Sequence, residues 1–98
     1  MISDGEILLG YRCKVARTFK DRAVGLIGHD LASDEGLFFP NCSAIHTFFM
    51  SYPIDVVFFD KNMKEVKRVN GVKPWTFCVF GGLKAKHCLE TKTAGVIE

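Results

Sequence analysis

Near the start of the chain, Ile7, Leu9, Tyr11, Cys13 and Val15 alternate with Leu8, Gly10, Arg12 and Lys14. A period of two belongs to a half-buried strand, so the pattern predicts one strand over residues 7–15. The period then lengthens. Phe19, Ala23 and Leu26 recur at i, i+4 and i+7, with Thr18 as N-cap, Asp21 in the first turn and Gly28 as a stop, which predicts one short helix at about 18–27. A helix of about nine residues is too short to stand alone and needs its Phe19 and Leu26 face packed on a sheet.

Beyond a polar loop at 29–36 the predicted elements are strands. Gly36–Phe39 is stopped by Pro40, and a loop at 41–44 leads into His46–Met50. A turn at 51–53 precedes the strand Ile54–Phe59, and a second turn at 60–63 precedes the charged strand Glu65–Val69, suited to an edge. Asn70-Gly71 is the strongest local turn signal. Pro74-Trp75 opens a strand running to Phe80, with Trp75, Phe77 and Val79 on one face; Gly81-Gly82 breaks it and Ala85–Glu90 follows. Residues 93–98 begin a further short helix or strand. Phe-Phe doublets at 38–39, 48–49 and 58–59 demand cover on both sides, because adjacent strand residues point to opposite faces. The expectation is a single α+β domain over 1–98, predominantly β: a small barrel-like or strongly curved, mostly antiparallel sheet with one short helix.

Several of these segments resemble, in order, a family known as domain of unknown function 192. The residues that carry the resemblance are Phe19, Arg22, Gly25 and Leu26; Glu35–Phe39; the block Ile45–Asp60 with its Ile-His-Thr-Phe-Phe-Met and Pro-Ile-Asp-Val-Val-Phe-Phe-Asp runs; Val72–Trp75; Cys88–Glu90; and Ala94-Gly95. The resemblance implies a small, mostly β domain found in bacteria and archaea, sometimes behind an export signal, and implies no activity. Family members continue past Ala-Gly through a Gly-Asp turn into a last strand, whereas this sequence stops at Glu98. The expectation that follows is an open sheet edge, filled by the N-terminal strand or by pairing in a homodimer.

Composition narrows the class. With 48 % hydrophobic residues and nine phenylalanines in 98 residues, the chain has the material for an efficient core and is not a disordered segment. Residues 1–60 carry five basic and eight acidic groups, and 61–98 carry eight basic and three acidic. The basic half reads as lysines guarding sheet edges; Lys61, Lys64, Lys67 and Arg68 lack interleaved aromatics, so nucleic acid is disfavoured as a partner. No apolar run approaches a membrane span and no leader is evident, so a cytoplasmic location is expected, with Cys13, Cys42, Cys78 and Cys88 free and no cofactor.

Candidate chemistry is thin. His46 and Asp55 are the pair best suited to acid–base work in a hydrolase, yet in either hairpin register they point to opposite faces or lie about 13 Å apart. A zinc site from Cys42, His46, His87 and Cys88 has the right ligand types, but consecutive His87 and Cys88 point apart, so no metal is expected. Tyr52, Pro74 and Trp75 offer an aromatic wall for a small molecule or a protein. Glu90, in an apolar context, calls for a partner such as Arg22, either as a structural ion pair or as a ligand-binding pair. The leading reading is a binding module around Tyr52, Pro74 and Trp75 with Arg22 and His46 as polar contacts; the alternatives are an enzyme using His46 or Asp55, and assembly through a sheet edge.

Overall fold

A computed structural model describes residues 2–16, 31–48 and 50–94 of the chain. Its strands are β1 (Ile7–Leu8), β2 (Tyr11–Val15), β3 (Glu35–Phe39), β4 (Ala44–Ile45), β5 (Ile54–Phe59), β6 (Glu65–Val72), β7 (Val79–Phe80) and β8 (His87–Lys92). Six of them form one sheet in the order β1-β2-β3-β8-β5-β6, and β4 and β7 form a separate two-stranded ribbon. All pairings are antiparallel except β2 with β3.

The β-rich, mostly antiparallel expectation holds, but the closed-barrel form does not. Among the described residues the large sheet is open, with β1 and β6 as its two edges. The helix expected at 18–27 lies outside the described residues.

Alternating side chains explain why the middle of the sheet is buried on both sides. On one face Leu37, Phe39, Ile54, Val56, Phe58 and Cys88 pack with Leu31, Ile45, Met50, Tyr52 and Ala85. On the other, Cys13, Val15, Phe38, Val57, Phe59 and Leu89 pack with Ile2. The doublets Phe38-Phe39 and Phe58-Phe59 thus feed both cores at once, and Phe38 and Phe58 are fully buried.

Three local features depart from the sequence pattern. The strand predicted over 7–15 is a hairpin: Leu8 pairs with Tyr11 across Leu9 and Gly10, which have φ of 52° and 85°, the left-handed pair that a tight two-residue hairpin turn demands. Asn70-Gly71 is not a turn. It lies inside β6, where the register with β5 slips by one residue between Val69 and Val72, and Gly71 at φ 66° supplies the bulge. The predicted strand His46–Met50 does not pair with β5, whose neighbours are β6 and β8; regular pairing there is limited to Ala44–Ile45.

Candidate functional site

The β4–β7 ribbon lies over the first face of the sheet, with Ile45 and Val79 turned inward onto that core. Ala44 pairs with Phe80 and Ile45 with Val79, so Ala44 and Phe80 face outward, as does His46 one step beyond the paired strand. At Gly81 the backbone comes down onto the sheet: a Cβ there would collide with the Phe58 ring and Ala85.

Thr47 holds the open end of the ribbon. It is fully buried. Its N–H donates to Thr76 O at 3.0 Å, and its carbonyl accepts from Trp75 N at 2.8 Å. Its hydroxyl donates to Lys73 O at 2.6 Å and accepts from Thr76 N at 2.8 Å. The Thr76 hydroxyl donates to Lys73 O as well. A hydroxyl is the group that can give and take at one point. The same bonds maintain Trp75 at φ 65°, a left-handed conformation that a bulky residue adopts only where its surroundings enforce it.

The result is a group of rings held on the surface. Phe48 is central: its ring centroid lies 5.0 Å from His46, 6.1 Å from Trp75 and 5.9 Å from Phe77. Trp75 is 58 % exposed, Phe77 81 % and Phe80 48 %, and Leu83 beyond them 93 %. His46 accepts the N–H of Phe48 at Nδ1, 3.2 Å away. Lys67 reaches across from β6 and donates its Nζ to Phe80 O at 2.7 Å. The segments that flank these rings carry Lys67, Lys73, Lys84 and Lys86, all exposed, while Arg68, paired across from Val57, turns to the other face of the sheet. Rings and cations suit stacking on a flat or anionic ligand.

The other sequence candidates are distributed elsewhere. Asp55 sits on the opposite face of the sheet from the ribbon, accepting from Gly71 N and from the Thr93 hydroxyl, each at 2.8 Å; it pins the bulge, and the structure does not bring it to His46. Tyr52 is buried rather than part of an exposed wall; its hydroxyl accepts from Leu31 N at 3.2 Å, and Lys92 Nζ lies 4.8 Å from its ring centre. Pro74 is half-buried beside Trp75. Arg22 lies outside the described residues. Glu90 is 6 % exposed on the first core face, paired across the sheet with Leu37 and Val56. Burial, with a lesser effect of Cys42, pushes its carboxyl up to about 8.

His87 and Cys88 emerge on opposite faces. His87 stacks on Phe38 and accepts Asn41 N at Nδ1, 3.1 Å away, and burial holds its pKa below the usual imidazole value. Cys88 is in the first core. Among the described residues no three potential ligands gather. The four cysteines are free; Cys13 and Cys88 are buried, Cys42 partly so, and Cys78 exposed. An open cleft of about 310 Å³ at the β1–β2 end is lined by Asp4, Gly5, Arg12, Cys13, Lys14 and Glu35. Its Arg12 is engaged by Asp34 at 3.1 Å and Glu35 at 3.7 Å.

Of the sequence candidates, Trp75 and His46 fall in this group of rings, together with Thr47, Phe48, Phe77 and Phe80, which the sequence reading did not single out. The signal was the run Trp75-Thr-Phe-Cys-Val-Phe80, which reads as a strand with Trp75, Phe77 and Val79 on one face.

Comparison with known proteins agrees with the fold. The model of the family DUF192, described as uncharacterized ACR, matches residues 2–98. No curated protein matches the chain. A protein of unknown function from Novosphingobium aromaticivorans superposes with a TM-score of 0.76 at 20 % identity, over 86 % of this chain and 64 % of that one. The chain thus spans less than two thirds of that protein's length. A protein from Sinorhizobium meliloti described as a candidate transcription regulator superposes with a TM-score of 0.75 at 16 % identity, over 85 % of this chain and 69 % of that one.

Proposed function

The chain belongs to the DUF192 family, and we propose that it is a binding module whose ligand lies on the ring-bearing outer face of the β4–β7 ribbon. The observation that carries this reading is Trp75: its backbone is held in a left-handed conformation by Thr47 while its ring stays 58 % exposed. Strain maintained by a buried hydrogen-bond hub, in order to present an indole to solvent, is a feature of sites rather than of cores. The neighbouring Phe77, at 81 % exposure, contributes area to a ligand and little to the fold.

The hydrolase alternative loses its geometry, because Asp55 and His46 lie on opposite sides of the sheet and Asp55 is committed to Gly71 and Thr93. Assembly through the edge strand β6 is met by Glu65, Lys67 and Arg68 along it, the usual guards against edge pairing. Four free cysteines suit a reducing, cytoplasmic setting, which is part of the proposal.

Trp75 is the only tryptophan in the chain, so its fluorescence reports on the site. In a thermal-shift screen of sugars, nucleotides and peptides, a true ligand at about a hundred times its Kd raises stability by about 2.7 kcal/mol. It also alters Trp75 emission, and Phe77→Ala abolishes both effects. Ligands that stabilise the protein equally in the Phe77→Ala variant and leave Trp75 emission unmoved would remove this reading.

A further inference from the structure

We propose that the ligand of this ribbon face is single-stranded nucleic acid, an inference that rests on the binding reading above. Viewed along the sequence, Lys61–Arg68 lacks aromatics; in the folded chain Lys67 reaches to Phe80, and β6 is brought beside the ribbon. The segments that build the face supply Lys67, Lys73, Lys84 and Lys86. All four are exposed. Lys73, Lys84 and Lys86 join no ion pair among the described residues, whereas Arg68, engaged by Glu65 at 2.8 Å and paired across from Val57, belongs to the other face of the sheet.

The same face carries the rings of His46, Phe48, Trp75, Phe77 and Phe80, with Lys67 reaching to the backbone of Phe80. Centroid spacings of 5.0–6.1 Å around Phe48 give several ring faces and edges within the reach of successive nucleotides. Every base has a flat face, so exposed rings on a surface that also carries lysines bind a single strand without needing a sequence code. A duplex keeps its base faces stacked inside and offers only phosphates to such a surface. The exposed apolar side chains from residue 75 to residue 83 are the rings of Trp75, Phe77 and Phe80 and the aliphatic Leu83; rings of this kind also seat at lipid interfaces, so anionic vesicles form one arm of the test. Thr47 holds the backbone around Trp75, and Phe48 touches both Trp75 and Phe77, which lowers the ordering cost of stacking on these rings.

The test is fluorescence anisotropy of the full chain with labelled oligothymidylate and oligouridylate of about twelve nucleotides, a length within the range of single-strand site sizes. Trp75 emission is followed in parallel, with a duplex of the same length and anionic phospholipid vesicles as the other arms. Quenching of Trp75 on binding of either single strand is expected. With three free lysines on the phosphates, affinity falls about twenty-fold between about 50 and 200 mM salt. Phe77→Ala, at an exposed position, weakens binding by about five-fold or more while leaving the circular dichroism spectrum unchanged. Lys73→Gln with Lys84→Gln flattens the salt dependence without changing the quenching at saturation.

The proposal fails if neither oligonucleotide binds, or if duplex binds as well as single strand. It also fails if Phe77→Ala is without effect on oligonucleotide affinity, since binding would then be electrostatic alone. Vesicles that move Trp75 emission while oligonucleotides do not would overturn it as well. In that last case the ribbon remains the binding face and only the ligand class is wrong; loss of every ligand effect on Trp75 would instead take the binding reading with it.

Discussion

Glu90 makes the stability of this protein fall as the pH rises through neutrality. Its side chain lies in the middle of the sheet, flanked by Leu37 and Val56 on the adjacent strands, and is 6 % exposed. Burial raises its pKa from 4.5 to about 8. The folded state therefore keeps a proton that the unfolded chain has released. The stabilisation is complete below the unfolded value of 4.5, declines as pH rises, and is exhausted once pH passes the folded value near 8. Each unit of pKa difference corresponds to about 1.4 kcal/mol, so the whole excursion amounts to about 5 kcal/mol, of which about 3 kcal/mol is lost by pH 7. Against a total stability of about 5–15 kcal/mol this is large. Glu90→Gln keeps the size and removes the ionisation. In urea denaturation followed by Trp75 fluorescence, the variant and the parent are expected to be close at about pH 4.5. They should diverge by about 1.4 kcal/mol per pH unit, and run parallel above about pH 8. Curves that stay parallel from acid to alkaline pH, or a parent that gains on the variant as pH rises, would show that Glu90 ionises freely in the folded protein.

Other outcomes follow from single contacts. Thr47→Val leaves the half-buried Thr76 N–H without its hydroxyl acceptor and is expected to cost about 1 kcal/mol in urea denaturation, with a shift in Trp75 emission as the loop at 73–76 loosens. Asp55→Ala removes the acceptor of both Gly71 N and the Thr93 hydroxyl; a loss of about 1–3 kcal/mol, and faster amide exchange at Gly71, are expected. His87 accepts a backbone N–H while neutral and burial depresses its pKa. Its contribution is therefore present above the ordinary imidazole value of about 6.5 and is lost as pH falls from there toward the folded pKa, which imidazole NMR titration would follow. Gly81→Ala drives a methyl into the Phe58 ring and is expected to lower Tm, since Phe58 is fully buried and has nowhere to retreat.

What the sequence disclosed was decided by how local each signal is. The doublets at 38–39 and 58–59 implied cover on both faces, and both cores contain them, because side-chain alternation is a property of the strand itself. Turn signals were weaker evidence. Asn70-Gly71 supplies a left-handed residue either to a hairpin or to a bulge, and the choice depends on Asp55, sixteen positions away. Likewise Leu9-Gly10 was hidden inside a perfect alternation. At the candidate site, Trp75 stood out by its size, but its partnership with Phe48 depends on the Thr47 hydroxyl meeting the backbone at Lys73 and Thr76. No periodicity encodes that meeting. Exposure of Phe77 and Phe80 was equally illegible, since an aromatic on an alternating run reads as core until the ribbon's inner face is seen to be filled by Ile45 and Val79.

The position of β8 has a consequence for how the molecule is made. Because β8 is inserted between β3 and β5, it is, among the described residues, the strand that joins β1-β2-β3 to β5-β6, and it pairs Gly36 with Thr91, fifty-five positions apart. A growing chain that has already produced β1 to β7 therefore holds the large sheet as two unjoined pieces, β1-β2-β3 and β5-β6, with Phe39 and Phe58 on strands that still lack their neighbour. Synthesis must run nearly to residue 92 before the sheet can become continuous, and such long-range pairing is slow by nature. The nascent protein thus passes through an interval in which the strands bearing Phe38-Phe39 and Phe58-Phe59 both lack a neighbour, until β8 has emerged to join them.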